Sequence, residues 1–302
     1  KWNFQYNSPF RFSDLADPLA ERESIFLDGN GYAYGPDGYL KLTIQPLKQR
    51  DRLLIVPGIR ASLVSLDYKG TITGNEAGAA WTRGAVEPRF LSRFNVSDTF
   101  ALKGSSGVYH QPPQPQESLG IGTTSTLKYE RSWSSSFGFE HRASPILYWD
   151  FEVFYKAMDG LIVFNDAYLG LGEQLYINQG QGRSFGSEII IRHNPTDRFF
   201  GWVSYTLSRS IRRDAPADDW YPFEFDQTHI LSAQGGYQLP RDFGISAQIQ
   251  YVSGNPHTPY NAGIYDVDAD SYTPFPVGTT NEERMPAFFQ TSLRVDKLWT
   301  FK

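Results

Sequence analysis

Between Arg198 and Tyr251 apolar and polar residues change places at almost every step. Phe199, Val203, Tyr205, Leu207 and Ile211 hold odd positions, and Ser204, Thr206, Ser208 and Ser210 hold even ones. A period of two predicts β-strand, because successive side chains along a strand point to opposite faces. Past Phe223–Gln227 the alternation resumes, with Leu231, Ala233 and Tyr237 against Ser232, Gln234 and Gln238. It turns at Leu239-Pro240-Arg241-Asp242 and returns as Phe243, Ile245, Ala247, Ile249 and Tyr251 against Gly244, Ser246, Gln248 and Gln250.

The length of these runs decides what they mean. Strands of soluble sheets are usually about 5–6 residues long. These are about 10–15, enough for a tilted strand to cross an apolar band of roughly 25–30 Å. The pattern therefore predicts a transmembrane sheet with its apolar face toward lipid and its Ser, Thr, Gln and Gly face toward a wet lumen.

The same reading along the chain predicts further strands over Trp2–Ser13, Tyr39–Gln45, Leu53–Leu66, Ala85–Val96, Thr99–His110, Leu127–His141, Tyr148–Phe164, Phe185–His193 and Ala287–Trp299. That makes about twelve strands in all. Their connections alternate in length. Long ones are expected at 14–38, 67–84, 111–125, 165–182, 214–226 and 254–286, and short ones at 47–51, 97–98, 142–146, 194–198 and 240–242. Short turns at one end and long loops at the other are the asymmetry of outer-membrane barrels. The fold class is therefore all-β, an antiparallel transmembrane β-barrel.

Composition agrees. The chain has 302 residues, a formal net charge of -5 and no cysteine. Its mean hydropathy is -0.43, and no apolar run approaches the roughly 20 residues of a spanning helix, which excludes a helical membrane protein. A barrel tolerates such a value because every second residue is polar. Aromatic residues make up 16% of the chain, as girdles at two membrane interfaces would require. Charge near neutral argues against a nucleic-acid partner. No secretory leader is visible, strand pattern begins at once and ends in mid-pattern, so the chain is expected to be a fragment of a longer exported protein.

Enzymatic and metal chemistry find little support. The five histidines are scattered, no Gly-x-Ser-x-Gly accompanies them, and no zinc spacing occurs. Asp266-Val267-Asp268-Ala269-Asp270 echoes a calcium loop, but Ser271 stands where glycine is needed and Val277 where the closing glutamate belongs. No catalytic residue, metal or cofactor is expected.

Several blocks, in order, resemble the TonB-dependent outer-membrane receptors. They are Pro88-Arg89-Phe90, the run Lys103–Pro113, Asn178-Gln179-Gly180 with Gly186-Ser187-Glu188, Ser204–Ser210, Phe225-Asp226-Gln227-Thr228-His229, and Arg284–Phe288 leading to Leu293–Lys297. The resemblance implies a barrel of about 22 strands around a globular plug. It further implies uptake of a scarce nutrient such as an iron–siderophore complex, driven through TonB, in the outer membrane of a Gram-negative bacterium. Plug, TonB-contacting segment and terminal strands are not recognisable in the sequence, so residues 1–302 match the barrel wall alone. A wall recruited as a scaffold beside other envelope proteins, without transport, is the alternative.

Candidate ligand contacts in the long loops are Tyr168, Arg212, Arg213, Trp220 and Tyr260, by aromatic stacking and bidentate anion binding. Pairing of Arg209, Arg212 and Arg213 with Asp214, Asp218 and Asp219 is the competing expectation. Glu140, Glu152, Glu188, Arg192 and Arg294 fall on the predicted lumen face, where they would meet a plug.

Overall fold

Alternating sequence has become one continuous antiparallel ladder. The computed structural model describes residues 2–8, 25–46, 52–72, 75–114, 117, 126–165, 176–260, 262–267, 270–275 and 277–299. Its strands are Trp2–Ser8 (β1), Ile25–Tyr34 (β2), Asp37–Lys41 (β3), Leu53–Ile72 (β4), Asn75–Asn95 (β5), Phe100–Gln111 (β6), Glu130–Arg142 (β7), Leu147–Phe164 (β8) and Tyr176–His193 (β9). Then come Phe199–Arg213 (β10), Tyr221–Pro222 (β11), His229–Leu239 (β12), Phe243–Val252 (β13), Pro256–His257 (β14), Ala262–Asp266 (β15), Ser271–Phe275 (β16), Glu283–Arg284 (β17) and Phe288–Lys297 (β18).

The sheet runs β1-β2-β4-β5-β6-β7-β8-β9-β10-β12-β13-β18, so each strand pairs with its predecessor. β3 lies beyond β2 on the same edge of β4, and β11 extends the line of β12 along β10. A meander of this kind needs only local connections, since antiparallel neighbours can be joined by tight turns.

Register fixes the faces. One row runs Phe139, Phe151, Ile189, Tyr205, Leu231, Tyr251 and Phe289 across seven consecutive strands. The next residue along each strand lies on the opposite face, where Glu140, Asp150, Ile190, Ser204, Ser232, Gln250 and Gln290 form the corresponding row. Large side chains such as Phe137 (57% exposed) and Val86 (55%) stay uncovered on the apolar face. Such a contiguous apolar surface marks an interaction surface. Buried apolar residues are few, Leu66, Trp81, Ala85, Ala101, Leu127 and Met158 among those described. A single curved sheet has no second layer to bury against.

The structure corrects several expected boundaries. The segment expected as a loop at 14–38 contains β2 and the start of β3. Its Gly- and Asp-rich composition has weak strand propensity, and ladder pairing with β1 and β4 overrides that. The expected loop at 67–84 is strand too, because β4 and β5 run on to Ile72 and Asn75. There the alternation fades because strand beyond the apolar band has no lipid to match. The expected strand over Tyr39–Gln45 ends at Lys41, with Ile44 making one isolated bridge to Ile55. Residues 9–13 and the turn at 47–51 lie outside the described residues. The connection at 254–286 carries four short strands paired as β14–β17 and β15–β16.

Short turns close one end of the sheet at 96–99, 143–146, 194–198 and 240–242. At the last, Arg241 and Asp242 both take positive φ, 65° and 60°, a conformation costly for residues with a side chain.

Candidate functional site

Two regions concentrate charge: the polar face near the short turns, and the loops at the opposite end.

On the polar face the ladder brings opposite charges together from separate strands. Arg93 of β5 pairs with Glu140 of β7 at 2.6 Å. Lys103 of β6 reaches Asp150 at 2.8 Å and Glu152 at 3.2 Å, both on β8. The strand between them contributes Gly138, which stands opposite Lys103 on one side and Glu152 on the other. A Cβ there would lie 2.1 Å from the Phe151 carbonyl oxygen, so only glycine fits the close approach. Glu188 faces Glu152 across the β8–β9 ladder, an unfavourable like-charge pairing. Among the described residues neither Glu188 nor Arg192 has an ion-pair partner; both line a polar cleft with Lys103, Arg142, Tyr148 and Asp150. Arg294 pairs with Asp296 two residues on, at 2.8 Å.

Further along the same face Glu87, 4% exposed, is held by Arg89 at 2.7 Å and accepts the His110 backbone N–H at 2.8 Å. It sits where the β5–β6 ladder ends at Arg89 and Gly107, and its carboxylate takes over a donor that the ladder leaves open.

At the loop end Asp226 is the most buried charge, 1% exposed. Its carboxylate accepts the Ser210 N–H and the guanidinium groups of Arg209 (3.1 Å) and Arg284 (2.5 Å). Arg284 also donates to the carbonyls of Asp226 and Gly254, and Gln227 donates to Asn255 at 3.0 Å. The connections after β10 and after β13 are thereby tied together.

The arginine pairing expected from sequence is not the one found. Arg209 pairs with Asp226, while Asp214 accepts the Tyr221 hydroxyl and Asp218 caps the Ala215 N–H. Arg212 donates to Ser210 Oγ and the Ile211 carbonyl and lies over the Phe223 ring at 4.2 Å. Arg213 donates to Gln181 and the Pro216 carbonyl and lies over Trp220 at 4.8 Å. Asp214 and Asp218 instead satisfy donors of the loop itself. Burial, and then the neighbouring Asp214 carboxylate, push the Tyr221 phenol above its ordinary range.

Of the sequence-derived loop candidates, Arg213 and Trp220 come together, Arg212 lies over Phe223 on the opposite face of β10, and Tyr260 is 61% exposed. Tyr168 lies outside the described residues. Sequence reasoning gave no site role to Glu87 or Lys103 and did not foresee the Asp226–Arg284 pair. Even spacing with Arg89 and Arg93 was a signal for Glu87. For Asp226 and Arg284, 58 residues apart, no local pattern exists.

A family model described as TonB dependent receptor-like, beta-barrel matches residues 1–301. No curated protein matches the chain as a sequence relative. Among solved structures it is similar to the ferric-catecholate import receptor Fiu of E. coli K12, with TM-score 0.65 and 13% identity over 91% of this chain and 39% of that one. The ferric yersiniabactin uptake receptor FyuA of Yersinia pestis gives 0.63 and 15% over 90% and 40%. The copper transporter OprC gives 0.62 and 14% over 91% and 41%. The chain thus spans about two fifths of the length of these structures.

Proposed function

This chain belongs to the TonB-dependent receptor β-barrel family, and from that premise we propose that it is part of the wall of an outer-membrane receptor that imports a scarce nutrient. The barrel, about 22 strands when complete, would enclose a plug supplied by sequence outside residues 1–302, and TonB would move that plug. Family members are receptors and transporters.

The sorting of charge between the two faces carries the reading. Arg93, Lys103, Glu140, Asp150, Glu152, Glu188 and Arg192 all lie on the polar side of the ladder, and a Lys or Arg turned to the bilayer midplane would cost about 2–4 kcal/mol. Arg93, Lys103, Glu140, Asp150 and Glu152 pair with one another within the wall, two cations against three carboxylates. Glu188 and Arg192 remain to meet charges on a plug, with Arg294 at the far edge. Cargo capture falls to the loops, where Arg212, Arg213, Trp220 and Tyr260 offer guanidinium groups and rings, with Tyr168 as a further candidate. An iron–siderophore complex is the cargo class favoured by the similarity to Fiu and FyuA; the likeness to a copper transporter makes metal delivery the shared feature.

The test is uptake by the full-length protein in its own outer membrane. Iron–siderophore and copper accumulation should fall when the gene is deleted, and should fall equally when TonB is inactivated. Accumulation that is unchanged in both strains would leave the scaffold role, a wall beside other envelope proteins without transport.

A further inference from the structure

The polar face of the ladder changes character between β9 and β10. Beyond Glu188 its row continues through Thr206, Ile230 and Val252 on β10, β12 and β13. The row of Ile190 continues through Ser204, Ser232 and Gln250, and that of Arg192 through Trp202, Gln234 and Gln248. No residue in these continuations carries a charge. Followed the other way, toward β6, the same rows hold Glu152 and Lys103, Asp150 and Glu140, and Tyr148 and Arg142. Charge returns beside β13 only one row nearer the short turns, at Arg294, which Asp296 already holds at 2.8 Å.

The two halves also differ in what their side chains do. On the charged side Arg93 holds Glu140, Lys103 holds Asp150, and the Tyr148 hydroxyl donates to Asp150. On the neutral side Ser204, Thr206, Ser232, Gln234, Gln248 and Gln250 make no side-chain hydrogen bond among the described residues. Their donors and acceptors are open to whatever lies inside the wall. A hydrogen bond to a charged group is roughly twice as strong as a neutral one, whereas a neutral one exchanged against water changes little. The charged half is therefore built to hold a complementary partner, and the neutral half to let go. A conduction path needs contacts that are left as readily as they are made.

We propose that the polar face of β10, β12 and β13 is the lane along which cargo passes the wall, while the charged face of β6–β9 stays against the plug. Three strands about 4.8 Å apart give a lane roughly 10 Å across, the breadth of a small-molecule metal complex. Ser and Gln offer such a complex donors and acceptors in succession, and no fixed charge traps it. An ionic plug surface does not settle there, because its charges would lose water against Gln and Ser and gain no counter-ion. This rests on the importer reading above, and the experiment separates the two.

Residues 1–302 contain no cysteine, so thiols can be placed in this wall one at a time. The full-length protein carries Gln234→Cys or Gln248→Cys in the lane, or Ile190→Cys or Ser136→Cys on the charged side, and its folded state is checked by heat-dependent electrophoretic mobility. Live cells are given a ferric siderophore or a copper salt, and a small water-soluble maleimide reads the exposure of each thiol above the background of unsubstituted protein. Gln234→Cys and Gln248→Cys should label about tenfold faster in cells with active TonB than in cells where TonB is inactivated, as a minor open state becoming the major one requires. Ile190→Cys and Ser136→Cys should label at one slow rate in both. An equal rise in the two halves, or a rise on the charged side alone, overturns the proposal. So does constant labelling at Gln234→Cys and Gln248→Cys while uptake still depends on TonB. Uptake of both metal probes that is indifferent to TonB would instead sink the importer reading, and the lane with it.

Discussion

Arg284 of β17 reaches the buried carboxylate of Asp226, Nη2 to Oδ2 at 2.5 Å, across 58 residues of sequence. The contact makes two loops into one body, because the same guanidinium holds the carbonyls of Asp226 and Gly254.

Breaking that contact should loosen both loops while leaving the wall intact. Asp226→Asn leaves Arg209 and Arg284 without their counter-charge, and Arg284→Ala leaves Asp226 buried with one cation fewer. We expect faster proteolysis within 214–228 and 253–287 in either variant, with unchanged heat-dependent mobility of the barrel. A double-mutant cycle on cleavage rates should give a coupling of about 1–3 kcal/mol; additive effects would mean the pair is not a unit.

Neighbouring residues on β8 should respond in opposite ways. Val153→Arg places a cation on the apolar face and should cost about 2–4 kcal/mol in lipid, seen as a lower yield of folded protein in the membrane. Glu152→Gln on the polar face should assemble normally, since Lys103 keeps Asp150 as its partner. Similar yields for both would show that the faces are assigned the wrong way round.

Gly138 admits no side chain. Gly138→Ala drives a methyl toward the Phe151 carbonyl and should destabilise the β7–β8 ladder by about 1–3 kcal/mol, as overpacking does. Urea unfolding in detergent, followed by tryptophan fluorescence, measures it. A wild-type midpoint would contradict the close approach.

Tyr221 gives a prediction in pH. Its phenol is raised above the unfolded value by burial and by Asp214, so its contribution to stability is fully present below about pH 10 and is lost as pH rises through the higher folded value. Ultraviolet difference titration should therefore show the same number of tyrosines ionising near pH 10 in wild type and in Tyr221→Phe. Asp214→Asn should let Tyr221 ionise earlier. An early-titrating signal that disappears in Tyr221→Phe would refute the raised phenol.

Much of the wall was legible because a strand that faces lipid on one side must alternate, and its period survives in the letters: the strand expected at Tyr148–Phe164 is Leu147–Phe164 in the structure, and the Asn194–Asp197 turn stands where its turn residues put it. Legibility failed where the reason for alternation stops. Beyond the apolar band β4 and β5 continue through 67–72 and 75–84 with no hydrophobic period, held by backbone pairing, which any side chain permits. β2 is similar, a glycine-rich strand made by its neighbours.

The sequence by itself determined the all-β ladder, its two faces and the alternation of turns and loops, because each follows from period and from turn residues within a few positions. Only the tertiary structure decided which charges meet. Lys103 finds Asp150 and Glu152 because β7 places glycine between them, and Arg209 finds Asp226 while Tyr221 and Ala215 take Asp214 and Asp218. Ion pairing is settled by distance in space among competing partners, and strands far apart in the chain bring those partners together.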